Sequence, residues 1–258
     1  MAAYKDIVYV KDSADLCHTL DIYLPTTTPP PRSLLPLILY IHGGAWRTDD
    51  KQTIPSLGPS LAHHSSAIVA IPNYRLSTRA ESSIRHPTHL EDVQSALHFL
   101  QSCQQPYPGH KYVDHKRIYL VGHSAGAHLA TMAVLTGNAQ SARGVLGIGG
   151  IYDIPGLLKT YPSYKDFVEM AFWPHQYQEA SPLHRVGDEG RDTAFMLVNS
   201  VEDELVGSQQ AVGFAQRLIG RGYRNVTLAV RDIGGHYEQL ERPEFWNLVA
   251  DFVASSKK

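Results

Sequence analysis

The chain has 258 residues, 43% of them hydrophobic and 19% charged, with a formal net charge of -2. That is enough apolar material for one sizeable core. So even a charge balance excludes a global field that would draw in nucleic acid or an anionic membrane, which leaves a small-molecule substrate as the expected partner.

The amino terminus shows no basic region followed by an apolar run, so no signal peptide is expected, and no stretch approaches the length of a membrane span. The two cysteines, Cys17 and Cys103, lie far apart in no metal or redox spacing. They fit free thiols in a reducing compartment, and a cytoplasmic protein is expected. A monomer and a homodimer are both compatible with this composition.

Apolar runs suited to strands recur along the chain. Residues 7–10 and 20–24 read as an opening antiparallel pair, followed by strands at 37–41, 67–71, 118–121, 145–148, 195–198 and 226–230. Helical segments fit between them at 54–64, 88–102, 125–136, 208–221 and 243–255. In the second helix Leu90, Val93, Leu97 and Leu100 form a core-facing stripe, with Glu91 and Asp92 on another face. The expectation is an α/β fold, an eight-stranded mostly parallel sheet with helices on both faces, built as one domain over residues 1–258.

Two segments break this rhythm. Residues 25–36, rich in proline and threonine, read as a stiff surface connection. Residues 154–191 are too long for a simple crossover, and their aromatics, among them Tyr161, Tyr164, Phe167, Phe172 and Trp173, suggest a small lid.

The most informative motif is Gly122-His123-Ser124-Ala125-Gly126, set between a β-branched run and an apolar helix. In that strand-to-helix context Gly-x-Ser-x-Gly forms a nucleophile elbow, which pushes the serine out at the carboxyl end of a sheet. A serine hydroxyl needs a base, and the base needs a carboxylate. In this arrangement acid and histidine follow the serine on loops after later strands. Of the histidines beyond the sixth strand, only His236 sits in a glycine-rich loop directly after a strand, which makes it the expected base. Three carboxylates compete for the acid in Glu202-Asp203-Glu204; Asp203 is preferred because this loop most often supplies aspartate, with Glu202 as the fallback.

A tetrahedral intermediate carries an oxyanion that backbone amides must meet. His42-Gly43-Gly44-Ala45-Trp46 follows directly on a buried strand, so the amides of Gly43, Gly44 or Ala45 are expected to act with that of Ala125. His42 is expected to brace this loop, and Trp46 to line the substrate pocket. The pairs His63-His64 and His86/His89 lack further ligands at metal spacing, so no metal and no cofactor are expected.

With these motifs the chain resembles the α/β-hydrolase superfamily, in the branch with a His-Gly-Gly oxyanion loop; Leu20-Asp21-Ile22-Tyr23-Leu24-Pro25 and Asn73-Tyr74-Arg75-Leu76-Ser77 are similar to motifs shared by many carboxylesterases. Gly150-Ile151-Tyr152-Asp153-Ile154, the stretch Leu157-Leu158-Lys159-Thr160-Tyr161-Pro162-Ser163-Tyr164 and Ala171-Phe172-Trp173-Pro174 resemble the lid region of eukaryotic kynurenine formamidases. Asp203-Glu204-Leu205 and Gly235-His236 are similar to that family as well.

The resemblance implies Ser124, Asp203 and His236 as a triad that hydrolyses N-formyl-L-kynurenine to L-kynurenine and formate in tryptophan catabolism. Tyr161 or Phe172 would then stack on the kynurenine ring. The competing readings are a small-acyl carboxylesterase or lactone hydrolase with the same triad, and a non-catalytic binding protein of the same fold.

Overall fold

The computed structural model describes residues 2–26, 33–102, 106–139 and 141–255. Cys103 and residues 27–32 of the proline-rich connection, two features singled out from sequence, lie outside those residues; Cys17 is a half-buried free thiol.

One eight-stranded sheet organises the chain. Its strands are β1 (Ala2–Val8), β2 (Thr19–Leu24), β3 (Leu35–Ile41), β4 (Ile68–Pro72), β5 (Val113–His123), β6 (Ala142–Ile148), β7 (Ala194–Ser200) and β8 (Val226–Arg231), in the spatial order β1-β2-β4-β3-β5-β6-β7-β8. The β1/β2 and β2/β4 pairs are antiparallel and the rest parallel. β1 runs several residues earlier than the apolar pattern suggests. It is an exposed edge strand, so no buried face marks its alternation, and its register shifts between Tyr4 and Ile7.

The inner strands are continuous apolar runs because both faces are covered. Along β3, Leu37, Leu39 and Ile41 face one layer while Ile38 and Tyr40 face the other. The layer over Ile38 and Tyr40 is built from α1 (Leu57–Ser65) and the later C-terminal helix (Pro243–Ser255), through Leu57, Leu61, Phe245 and Val249. The opposite layer holds α2 (Thr88–Ser102), α3 (Ala125–Leu135) and the helix Gln209–Gly220, through side chains such as Leu97, Leu129 and Phe214. All residues of α3 are buried, which explains why its sequence shows no polar stripe.

The segment between β6 and β7 contains three short helices, α4 (Ile154–Thr160), α5 (Lys165–Ala171) and α6 (Pro182–Arg185); the two helices that follow are therefore α7 (Gln209–Gly220) and α8 (Pro243–Ser255). Helices this short are not self-sustaining. Polar anchors hold the segment in place. Gln210 Oε1 accepts the amides of Tyr152 and Asp153 at 2.8 and 2.7 Å, and the Ser181 hydroxyl accepts the amide of Ile154 at 2.9 Å.

Asp92 departs from the expected amphipathic face. It is 2% exposed, and it takes a bidentate pair of bonds from Arg75 and one contact from His18 at 3.3 Å. Asp21 of the Leu-Asp-Ile-Tyr-Leu-Pro motif is fully buried too, receiving Lys5 Nζ at 2.7 Å and the Asp6 amide at 3.1 Å. That motif therefore ties the edge strand to the sheet.

Candidate active site

β5 delivers Ser124 into a sharp turn before α3, with Ser124 at φ 53°, ψ -118°. A non-glycine residue there stores on the order of 1–3 kcal/mol, tolerated only where neighbours over-determine the backbone. The constraint is visible at Gly126, where a Cβ would overlap the carbonyl oxygens of Ile41 and His42 at the end of β3. Backbone cannot yield as a side-chain tip can. Gly126→Ala is accordingly expected to destabilise the fold by about 3 kcal/mol or more. Thermal melting checks this; a variant within 1 °C of the parent would show that the elbow does not need that close approach.

His236 follows β8, and its Nδ1–H donates to Asp203 Oδ2 at 2.8 Å and Oδ1 at 2.9 Å. That bond leaves Nε2 as the free acceptor of the ring. Asp203 follows β7, and its Oδ1 also accepts the amides of Leu205 and Val206 at 3.0 and 2.8 Å. Burial alone would raise this carboxyl, but the His236 hydrogen bond and charge, with the two amides, outweigh it and hold its pKa below the usual value. Among the described residues Glu202 makes no hydrogen bond or ion pair with the ring, its amide donating to the Ser200 hydroxyl, and Glu204 accepts the His236 backbone amide at 2.9 Å.

Two further residues hold His236 in place. The ring of His123 lies 4.4 Å from that of His236, and its Nε2–H donates to the His236 carbonyl at 3.0 Å. Buried Gln239 donates to the same carbonyl at 2.8 Å and approaches Asp203 Oδ2 at 3.4 Å. Sequence reasoning missed both. His123 stood in plain view as the second residue of the pentapeptide, whereas nothing local marks Gln239.

The loop expected to form the oxyanion hole runs through consecutive left-handed residues, Gly44 at φ 86°, Ala45 at φ 51° and Trp46 at φ 58°. Gly43 packs so closely on the elbow that a Cβ would stand 2.7 Å from His123 Nδ1 and 3.2 Å from Ser124 Cβ. Among the described residues, the amides of Gly43, Gly44, Ala45 and Ala125 donate no hydrogen bond. Donors with no intramolecular acceptor beside a serine, as at Gly43 and Ala125, suit an oxyanion. The loop is braced from below: Tyr74 stacks on His42 at 4.3 Å and its hydroxyl donates to the carbonyls of Gly43 and His42 at 2.9 and 3.1 Å. His42 itself is buried, which pushes its pKa down to about 4.

Of the expected pocket aromatics, Trp46 and Phe172 are wholly buried and offer no open face to a ligand. The left-handed backbone turns the Trp46 ring under the loop, where Nε1–H donates to His128 Nδ1 at 3.3 Å and the ring meets Phe172 edge-on at 4.8 Å. Both rings belong to the core, Phe172 from within the segment 154–191 and Trp46 from the loop it packs on, and not to an open pocket as expected from sequence. Tyr161 remains half-buried, stacked on Tyr164 at 4.9 Å.

Burial pushes His86 down to about 4, and His89 and His128 to about 3. Above about pH 6.5 these rings are neutral in both folded and unfolded chains. As pH falls towards 4, the unfolded chain takes up protons that the folded chain refuses, so stability drops. One histidine displaced to about 4 removes on the order of 3 kcal/mol by pH 4. The urea midpoint should therefore fall steadily from pH 7 to 4.5, and a flat profile would contradict the buried, neutral assignment.

Among the described residues, no group of three or more histidine, cysteine or acidic side chains is arranged to hold a metal, and no helix is long and apolar enough to cross a membrane.

The sheet order, the strained serine turn and the histidine–carboxylate pair at the carboxyl ends of the strands together define an α/β-hydrolase. A model of the family described as BD-FAE matches residues 20–167, more than half of the chain, and the chain belongs to that family. It is similar to a kynurenine formamidase of Meyerozyma guilliermondii, 35% identical over 188 residues that cover 67% of each chain. It is also similar to kynurenine formamidase avaC of Aspergillus versicolor, 28% identical across 92% of this chain and 95% of that one. Among solved structures, a truncated carbohydrate esterase from gut microbiota superimposes with a TM-score of 0.81 at 19% identity, covering 99% of this chain and 96% of the other, a likeness of fold. The chain is a kynurenine formamidase-like hydrolase.

Proposed function

We propose that this hydrolase cleaves N-formyl-L-kynurenine to L-kynurenine and formate through a formyl-enzyme on Ser124. The observation that carries this choice of substrate is the relationship to fungal kynurenine formamidases, one of them over nearly the full length of both chains.

In this reading His236 Nε2 takes the Ser124 proton as Oγ bonds to the formyl carbon. The carbonyl electrons move onto oxygen, which the amides of Gly43, Gly44, Ala45 and Ala125 receive. Collapse of the intermediate breaks the carbon–nitrogen bond, and His236 returns the proton to the departing aniline nitrogen. Water then attacks the formyl ester by the same route, its proton passing through His236 back to Ser124, and formate leaves. Asp203 stays ionised throughout, since the His236 ring and the Val206 and Leu205 amides outweigh its burial. Ser124 Oγ has no hydrogen-bond partner among the described residues; substrate entry would close the contact to Nε2.

Incubation with N-formyl-L-kynurenine should release L-kynurenine and formate in equal amounts. A fluorophosphonate that modifies Ser124 should abolish both. No formate above the uncatalysed rate would overturn the proposal.

A further inference from the structure

The row of half-buried rings Tyr161, Tyr164 and Phe167 connects the two loops that flank Ser124. At one end the Tyr164 hydroxyl donates to the Leu205 carbonyl at 3.1 Å, in the loop whose amides hold Asp203. Tyr164 continues to Phe167 at 4.9 Å, and Phe167 carries the Arg47 guanidinium 5.1 Å over its ring. Arg47 directly follows Trp46 in the oxyanion loop, and its amide closes the turn by donating to Gly44 O at 3.0 Å. The row is thus anchored at one end on the loop that holds Asp203 and at the other on the loop that packs against Ser124.

Arg47 is unusual among the arginines around the site. Its side chain is 41% exposed and makes no hydrogen bond among the described residues. The nearest anion is Asp166 Oδ2 at 3.7 Å, while Asp166 Oδ1 is already held by Arg79 at 2.7 Å. By contrast Arg75 spends its fork on Asp92, and Arg85 lies over Trp173 at 4.1 Å. Arg47 is thus held only by a ring face and one long ion pair, its N–H donors making no hydrogen bond among the described residues, and a carboxylate oxygen stands beside it.

We propose that Arg47 and Asp166 form the subsite for the amino-acid end of the substrate, Arg47 taking the α-carboxylate and Asp166 the α-ammonium. This rests on the formamidase reading for its ligand. An α-amino acid bears its two opposite charges one carbon apart, which suits a cation and an anion separated by 3.7 Å. A planar guanidinium supported on a ring is pre-organised for a bidentate carboxylate. The aromatic ketone arm of the substrate would run along Tyr164 and Tyr161, bringing the formamide to Ser124. Arg47 and Asp166 are specificity residues, with no part in proton transfer.

The test reads competitive inhibition of p-nitrophenyl acetate hydrolysis by L-kynurenine, which needs no formamide turnover. Arg47→Ala should raise the inhibition constant about 10–100-fold, and Arg47→Lys, which keeps the charge and loses the fork, by less than tenfold. Asp166→Asn should weaken L-kynurenine while leaving the deaminated analogue, 4-(2-aminophenyl)-4-oxobutanoate, less affected. A merely structural role for Asp166 would weaken both ligands equally, and that result overturns the assignment. So does an Arg47→Ala constant within twofold of the parent, or no inhibition of the parent by L-kynurenine. Arg47-dependent inhibition without formate release from N-formyl-L-kynurenine would support the subsite and reject the proposed reaction. Formate release with inhibition indifferent to Arg47 would do the reverse.

Discussion

Ser124→Ala is expected to lower kcat by on the order of 10⁵–10⁶ on any substrate the site turns over. The size follows from the proposed mechanism, in which every other group acts on that one oxygen. The strained turn holds Ser124 out of the sheet, Gly43 packs against its Cβ, and in the proposed first step the Ser124 proton is the one His236 takes. Removing the hydroxyl leaves amides that can still polarise a carbonyl, which is why a residue of catalysis over water should survive. The variant should fold, since alanine is no larger than serine at this turn. Single-turnover kinetics with circular dichroism checks both points, and more than about 1% of parental kcat would remove Ser124 from the nucleophile's role.

Asp203→Asn should cost roughly 10⁴ in kcat with little change in fold. Asp203 Oδ1 accepts the Leu205 and Val206 amides, so the asparagine carbonyl must take that side. Its NH₂ then occupies the position of Oδ2, facing His236 Nδ1 and the Gln239 amide nitrogen. A donor in that place forces Nδ1 to accept, which moves the ring proton to Nε2 and leaves nothing to deprotonate Ser124. Because the Gln239 NH₂ also confronts the new NH₂, some loss of stability accompanies the loss of rate. A variant within tenfold of the parent in kcat would show that another group orients His236, with Glu204 the nearest alternative through its bond to the His236 amide.

The parts of this molecule legible in sequence are those that local chemistry dictates. The inner strands read as unbroken apolar runs because both faces are buried, and the serine turn is marked by glycines whose side-chain hydrogen leaves room for the crossing backbone of β3. The pairing of His236 with Asp203 at 2.8 Å could be anticipated because each occupies a loop after a strand. What escaped depends on partners distant in sequence. Asp92 reads as a solvent-facing helix residue until Arg75, 17 positions earlier, is placed against it. Trp46 and Phe172 read as pocket rings until the left-handed backbone at Trp46 and its bond to His128 turn them inwards. The short helices α4 to α6 have no pattern of their own, being held by Gln210, Ser181 and the Ala180 carbonyl that His128 reaches at 2.6 Å.

The central claim is a selective formamidase, and kcat/KM for N-formyl-L-kynurenine measured beside p-nitrophenyl acetate and butyrate tests it most directly. The account predicts a value near or above about 10⁵ M⁻¹s⁻¹ on the formamide, well beyond both esters. Weak formamide turnover with brisk ester cleavage would contradict it, leaving the same serine, histidine and aspartate at work in a carboxylesterase.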